Sequence, residues 1–285
     1  MRLVAVVLSW NGREDTLVAL ESLRGIETVV VDNGSTDGSP EAVAEAFPDV
    51  ELIRAGVNLG FAGGNNVGIR RALDRGAEWV LLLNNDASVE PGLADALAAA
   101  AAARPDAGVL ACKVLFADSD RLWYAGAGFD AYLGRSRHEG FGEPDRPDRL
   151  RDTTRATGAA MAVSRGAIEA AGLLDEELFL YAEDLEWSLR IREAGFAVVY
   201  VPDARVRHRV SAATGGAGSP TTLYYETRNM LAVVERHRPL PRGLTGLRRV
   251  LVVAPRALLA FRRPASARAA LRGWRDYRRG RMGRR

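Results

Sequence analysis

Four places in the sequence gather side chains able to do chemistry. LLLNNDAS (81–88) runs three leucines into two amides and one carboxylate, Asp86. An apolar run ending in polar groups reads as a buried strand delivering ligands to its C-terminal rim. Asp86 is the one strong ligand there for a hard cation, and Mg²⁺ needs no more where phosphates and water complete its shell. Asn84 and Asn85 are weaker ligands and better hydrogen-bonding partners. VVVDNGSTDGS (29–39) sets Asp32 at a strand end, able to accept hydrogen bonds from a base or ribose. The same residues are also good turn material. FLYAEDLEWSLRIREAG (179–195) crowds Glu183, Asp184 and Glu186 at a helix start. Neighbouring carboxylates raise one another's pKa, which suits a general base, although acids also favour helix N-termini. His208 ends AVVYVPDARVRH (197–208), where a strand returns to the rim; it reads equally as a metal or phosphate ligand and as a surface histidine.

The elements that must position these groups alternate in type. Strand patterns fall at 3–9, 28–32, 50–55, 79–84 and 107–116. Helical patterns fall at about 13–24, 38–47, 63–75 and 92–103. Such alternation predicts an α/β fold with a mostly parallel central sheet and helices on both faces. NLGFAGGNN (58–66) reads as a glycine-rich strand-to-helix connection whose backbone can approach phosphate or ribose, with Asn58 and Asn65 as hydrogen-bonding groups. Its glycines miss the dinucleotide spacing, which disfavours an oxidoreductase. Residues 134–155 are rich in Gly, Pro and charge and predict a long loop, a candidate lid.

Composition sets the bounds. The 285 residues are 47% hydrophobic and 26% charged, ordinary for a globular chain able to bury a large core. A single cysteine, Cys112, excludes an internal disulfide and fits a reducing compartment. The opening MRLVAVVLSW reads as a first strand, not a signal peptide. No apolar run is long enough to span a bilayer; the nearest, 250–261, carries Pro255 and Arg256. Charge is polarised. Residues 190–285 hold 22 arginines against five acids (+17), and the first 189 hold 17 basic against 31 acidic residues (−14).

Taken together, VVLSWNG (6–12), VVVDNGSTDGS, NLGFAGGNN, LLLNNDA, ATGAAMAVSR, LFLYAEDLEWSLRIREAGF, VPDARVRH and LYYETRNML (223–231) resemble the inverting family 2 glycosyltransferases of GT-A fold, especially bacterial rhamnosyltransferase-like members. The resemblance spans roughly residues 4–238. It implies that Asp32, with Ser9 and Asn11, binds base and ribose, and that Asn58, Gly60, Phe61, Asn65 and Asn85 complete a nucleotide-sugar site. Asp86 would be the last residue of the D-x-D signature and hold Mg²⁺ or Mn²⁺, with His208 completing the metal site. Asn84 departs from the signature's first acid, which bears on metal affinity. Asp184 would be the general base, and Glu183 or Glu186 would orient acceptor or base.

The implied activity is transfer of a sugar, first choice rhamnose from dTDP-rhamnose, to a glycan or polyprenyl-diphosphate-linked acceptor. UDP-galactofuranose, UDP-hexoses and GDP-sugars stay open. A catalytically silent nucleotide-sugar-binding protein on the same fold is the alternative from another class. A nucleotidyltransferase would need a basic phosphate-binding signature near the N-terminus, which is not seen. Residues 1–238 are expected as the transferase domain and 239–285 as a basic amphipathic extension. In the latter, Leu271, Trp274, Tyr277 and Met282 lie at near-helical spacing. That pattern fits an anionic membrane surface and predicts a cytoplasmic enzyme, peripheral on the membrane. No nucleic-acid recognition fold accompanies the charge.

Overall fold

The computed structural model describes residues 1–210, 218–258 and 263–285, so the end of the 250–261 apolar run lies outside the described residues. The first half alternates β1 (Leu3–Ser9), α1 (Arg13–Ser22), β2 (Glu27–Asp32), α2 (Ser39–Ala46), β3 (Glu51–Arg54), α3 (Gly60–Asp74), β4 (Trp79–Asn84), β5 (Ala87–Val89) and α4 (Leu93–Ala103). Then come β6 (Ala107–Phe116), β7 (Leu122–Tyr124), β8 (Ala127–Asp130), β9 (Arg135–His138), β10 (Arg151–Asp152), β11 (Ala160–Ser164), α5 (Arg165–Ala171), α6 (Glu183–Glu193) and β12 (Ala197–His208). Helices α7 (Pro220–His237), α8 (Arg242–Ala257) and α9 (Pro264–Arg278) close the chain.

The sheet order is β10-β12-β6-β11-β4-β1-β2-β3. Strands β1 to β4 run parallel, and β12 runs parallel to β6, while β11 lies antiparallel between β4 and β6. The Val/Leu/Ala runs of β1, β4, β6 and β11 are buried on both faces, as strands sandwiched between helices require. Helix α3 sits close on β1 because it presents glycine to the sheet. A Cβ on Gly68 would lie 2.2 Å from Val6 Cγ1, and one on Gly64 2.4 Å from Leu8 Cδ1.

Three expectations are corrected. Helix α3 starts at Gly60 rather than near residue 63, so NLGFAGGNN is largely its first turns instead of an open connection. The long loop expected over 134–155 is stitched down. Strand β9 pairs with β8, β10 pairs with β12, and Asp145 bridges Lys113 at 2.8 Å and Arg205 at 2.6 Å. The third concerns the tail. Trp274, Tyr277 and Met282 do not form an outward face; they pack inward on a second core with Leu178, Leu185, Met230, Leu231, Val233, Val234, Val252 and Val253. Small residues let α9 lie against α7, Gly273 so closely that a Cβ would meet the Tyr224 carbonyl oxygen at 2.4 Å.

Candidate active site

The C-terminal ends of β1, β2 and β4 share one rim, with Ser9 opposite Asp32 and Leu8 opposite Asn84 in register. Asp32 is buried, and its Oδ1 accepts from Ser35 N–H at 3.2 Å, which closes the turn after β2. Asn11, at a left-handed φ of 58°, ties the neighbouring loops together. Its N–H donates to Ser35 Oγ, its Oδ1 accepts from Thr36 N–H, and its carbonyl accepts from Asn85 Nδ2. Ser9 is buried against Thr16, which also receives Asn85. Asn58 Oδ1 accepts from Gly60 N–H and from Asn33 Nδ2. These amides hold the shape of a cradle. Asn65 lies inside α3, buried, with its amide donating to the Phe61 carbonyl. Sequence reasoning missed Asn33, which clamps the α3 entry through Leu59 N–H and the Gly60 carbonyl.

Beside this cradle, His208 Nε2 lies 3.0 Å from Asp86 Oδ1, with Asn84 Nδ2 3.5 Å from the same nitrogen. The antiparallel β5–β12 pairing sets His208 opposite Ala87 and so delivers it to the Asp86 turn. Burial works against the Asp86 charge, but hydrogen bonds from His208 and Asn84 hold its carboxyl below the usual range. The buried His208 Nδ1 has no hydrogen-bond partner. No group of three His, Cys, Asp or Glu side chains suited to a metal occurs among the described residues, so Asp86 and His208 stand as a pair.

Asp184 sits one residue inside α6, with its carboxylate partly exposed. Its Oδ2 accepts from Gly158 N–H and from Arg155 Nη1, each at 3.0 Å. The next residue along, Ala159, accepts from Asn84 N–H at 3.0 Å. Residues 155–159 thus form a ledge joining the end of β4 to Asp184. The Asn84–Ala159 bond is a backbone one, so the ledge does not depend on the side chain at either position.

Arg155 was not foreseen as a site residue, nor was His138, yet Arg155 touches Asp184 directly and His138 touches Arg155. Arg155 is almost fully buried and every donor group is used: Nε to Ser136 Oγ, Nη1 to Asp184 and the Ala156 carbonyl, Nη2 to His138 Nε2 at 2.8 Å. Burial, then the Arg155 charge, holds His138 down at about 4, so its ring is neutral near pH 7. The neutral ring donates from Nδ1 to the Trp123 carbonyl and accepts at Nε2. Trp123 in turn packs edge-on against both His138 and His208, with ring centroids 4.6 and 4.8 Å away. An unbroken chain of contacts therefore runs from Asp86 through His208, Trp123, His138 and Arg155 to Asp184. The signal available in the sequence was a lone arginine abutting the apolar ATGAAMAV run.

The other two acids of the cluster part company. Glu186 lies two residues from Asp184, hence on a different helix face, and is fully buried among Arg190, Arg236 and His237. Burial opposes its charge, yet the neighbouring His237, Arg190 and Arg236 hold it down at about 2. It is a structural anchor, which corrects its expected role near acceptor or base. Glu183 is buried with Oε2 unpartnered, and burial, then the Asp184 charge, pushes it up to about 8. Its folded value exceeds that of an unfolded glutamate, about 4.3. Its contribution to stability is therefore complete below about pH 4.3 and is lost as pH rises towards 8. Glu183→Gln should flatten that slope, so its Tm gain over the parent should grow between about pH 4.5 and 8; parallel Tm curves would refute the assignment.

The turn leading into α6 is strained. Phe179, Tyr181 and Ala182 adopt φ of 63°, 68° and 68°, a region costly for residues with side chains. Asn229 of α7 compensates by donating from Nδ2 to the carbonyls of Leu178, Leu180 and Tyr181, and the buried Arg228 donates to Leu178 as well. The Phe179 carbonyl also receives Phe61 N–H at 2.7 Å, which couples the turn to the start of α3. Gly60, at φ 78°, leaves the space this needs, since a Cβ there would lie 2.4 Å from Phe179.

The chain that carries this arrangement has relatives among known proteins. The family profile described as Glycosyl transferase family 2 matches residues 5–171, more than half of the chain. The chain belongs to glycosyl transferase family 2. It is a glycosyltransferase of GT-A fold. It is 31% identical over 242 residues to an N-acetylglucosaminyl-diphospho-decaprenol L-rhamnosyltransferase of Mycobacterium tuberculosis, covering 77% of this chain and 78% of that protein. It is 27% identical over 247 residues to the dTDP-rhamnosyl transferase RfbF of Shigella flexneri, covering 83% and 81%. Among solved structures, the mannosyltransferase PcManGT of Pyrobaculum calidifontis, in complex with GDP-Man and Mn²⁺, superimposes with a TM-score of 0.58 at 21% identity, covering 98% of this chain and 83% of that one. GalNAc-T7 with UDP, GalNAc and Mn²⁺ gives 0.64 at 18% identity over 88% of this chain and 54% of that one, so the chain spans about half its length. At these identities the structural likeness speaks for the fold.

Proposed function

We propose that this glycosyltransferase moves rhamnose from dTDP-rhamnose to a hydroxyl of a polyprenyl-diphosphate-linked glycan, with inversion at the anomeric carbon. The names of the two rhamnosyltransferase relatives support the donor and, for the mycobacterial one, a lipid-diphosphate acceptor. The observation that carries the reaction is Asp184. Its carboxylate is partly open, held by Arg155 and Gly158, and tied through the 155–159 ledge to the rim that bears Asp86.

In the proposed reaction Asp184 accepts the proton of the acceptor hydroxyl as that oxygen attacks the anomeric carbon. The bond from that carbon to the diphosphate oxygen breaks, and the nucleotide diphosphate leaves with the electron pair. Asp32 holds base and ribose. Asp86 and His208 fit a divalent cation, Mg²⁺ or Mn²⁺: a carboxylate and an imidazole converge at 3.0 Å, and substrate phosphate and water would supply the remaining ligands. Bound there, the cation supplies positive charge against the developing charge on the diphosphate. Arg155 keeps Asp184 pointed at the acceptor. The Mn²⁺ in the two structural neighbours supports the cation but not its identity here.

Two measurements test this reading. A thermal-shift panel of nucleotide sugars with Mg²⁺ and Mn²⁺ should give the largest shift for dTDP-rhamnose; a larger shift with UDP-galactofuranose or a UDP-hexose would replace the donor. Arg155→Met should lower kcat on the order of 10–100-fold, the scale of a misaligned reacting group, with donor KM little changed. Arg155→Lys should recover part of the loss. An Arg155→Met enzyme with parental kcat would remove the orienting role.

A further inference from the structure

Helix α8 is apolar on two sides: Val252 and Val253 enter the second core, and a further apolar face looks outward. Its described arginines lie on the protein side or flank: Arg248 is buried and donates to the Arg238 carbonyl, Arg249 bridges Glu235 at 2.7 Å, and Arg256 donates to the Val252 carbonyl. Its solvent side carries Leu244, Leu247, Val250, Leu251 and Leu258, each 41–66% exposed, together with exposed Gly243, Gly246 and Pro255. Among the described residues no charged side chain is exposed on that face. Leu244, Leu247, Leu251 and Leu258 follow i, i+3, i+7, i+14 and make one stripe. Single exposed leucines are ordinary; a contiguous apolar stripe marks a contact surface.

The neighbouring helix names the partner. Helix α9 packs on α8 and α7 and exposes Arg268, Arg272 and Arg275 at i, i+4, i+7, with Arg278 at its last position and Arg279 just beyond its end. The one acid of α9, Asp276, is buried and held by Tyr224 Oη and Arg285. An apolar stripe beside a basic one fits an anionic lipid surface, with leucines entering the acyl boundary and arginines meeting headgroup phosphates. The inner side of α8 reaches towards the proposed chemistry: its buried Val252 abuts Gly134, which leads into the β9 strand that carries His138 and Ser136 to Arg155.

We propose that the outer face of α8, flanked by the arginine stripe of α9, docks this enzyme on an anionic membrane. The proposal adds a surface to the transfer reaction without depending on it, and its test reads binding, not turnover. The full-length protein should co-sediment with phosphatidylglycerol/phosphatidylcholine vesicles, and at least about tenfold less with phosphatidylcholine alone. Leu247→Asp/Leu251→Asp should weaken binding at least about tenfold with Tm unchanged, and Arg268→Gln/Arg272→Gln/Arg275→Gln should weaken it and reduce its salt dependence. As a check free of new charge, Leu251→Cys can be labelled selectively with an environment-sensitive dye, because Cys112 is fully buried. Its emission should shift to the blue on anionic vesicles. Binding that survives the α8 substitutions, or a dye blind to vesicles, would overturn the proposal. So would a dimer in size-exclusion light scattering that Leu251→Asp dissociates, which would assign the face to a second copy.

Discussion

Asp184→Asn should leave the fold and nucleotide binding intact while lowering transfer by roughly 10²–10⁴-fold, the usual worth of a positioned general base. Asparagine preserves the shape and the acceptor for Gly158 N–H, so the ledge need not move. What disappears is the ability to take a proton, along with the charge facing Arg155. The loss should therefore fall on kcat, with dTDP-rhamnose binding by calorimetry close to the parent. Retention of a tenth or more of the parental turnover would exclude Asp184 as the base. The paired result with Arg155 separates two failures: an inactive Asp184→Asn beside a fully active Arg155→Met keeps the base and discards its orienting partner.

Asp86→Ala should abolish the metal dependence of donor binding and lower kcat/KM on the order of 10²–10³-fold, the scale set by losing one preorganised stabiliser of a leaving group. Asp86 is the sole carboxylate in the pair with His208, so alanine leaves one imidazole, too weak a ligand set for a hard cation. His208→Ala should cost less, because the carboxylate stays. The readout is dTDP-rhamnose affinity measured with Mg²⁺, with Mn²⁺ and with chelator. Parental protein should bind more tightly with metal and the Asp86 variant equally in all three; an unaltered metal response in the variant would refute the assignment.

How far the chain could be read without its structure depends on the kind of interaction. Strands β1, β2, β4, β6 and β12 were legible because strands covered on both faces are written as continuous Val, Leu and Ala runs. The antiparallel direction of β11 was not, since AMAVS looks the same whichever way it runs. The β8–β9 hairpin was hidden by its charge: Arg135, Ser136, Arg137 and His138 resemble loop material, yet half of them face inward to serve Arg155. Asp32, Asp86 and His208 stood out because polar residues end a strand there, and Asp184 because three acids crowd a helix start. Glu186 could not be separated from its neighbours by type alone, as its fate is decided by Arg236 and His237, about 50 residues further on. The Leu271–Met282 spacing does not form one face: Leu271 is exposed, Trp274 and Tyr277 turn inward where α7 offers its own apolar residues, and Met282 packs on the same core from beyond the end of α9.

The short ledge at 155–159 carries a consequence for how such an enzyme can diversify. Under the proposed roles, every group that recognises the donor comes from the first 116 residues, with His208 added from β12. The groups facing the acceptor and the membrane come from the segments after residue 117. Besides the Phe61–Phe179 and Trp123–His208 contacts, the two inventories meet at Arg155–Ala159, through one backbone bond to Asn84 and two contacts with Asp184. Under those roles, which sugar is carried and where it is delivered would be written on largely separate stretches of chain, so substitutions in α7, α8 or the hairpin should readdress the product with little effect on the cargo.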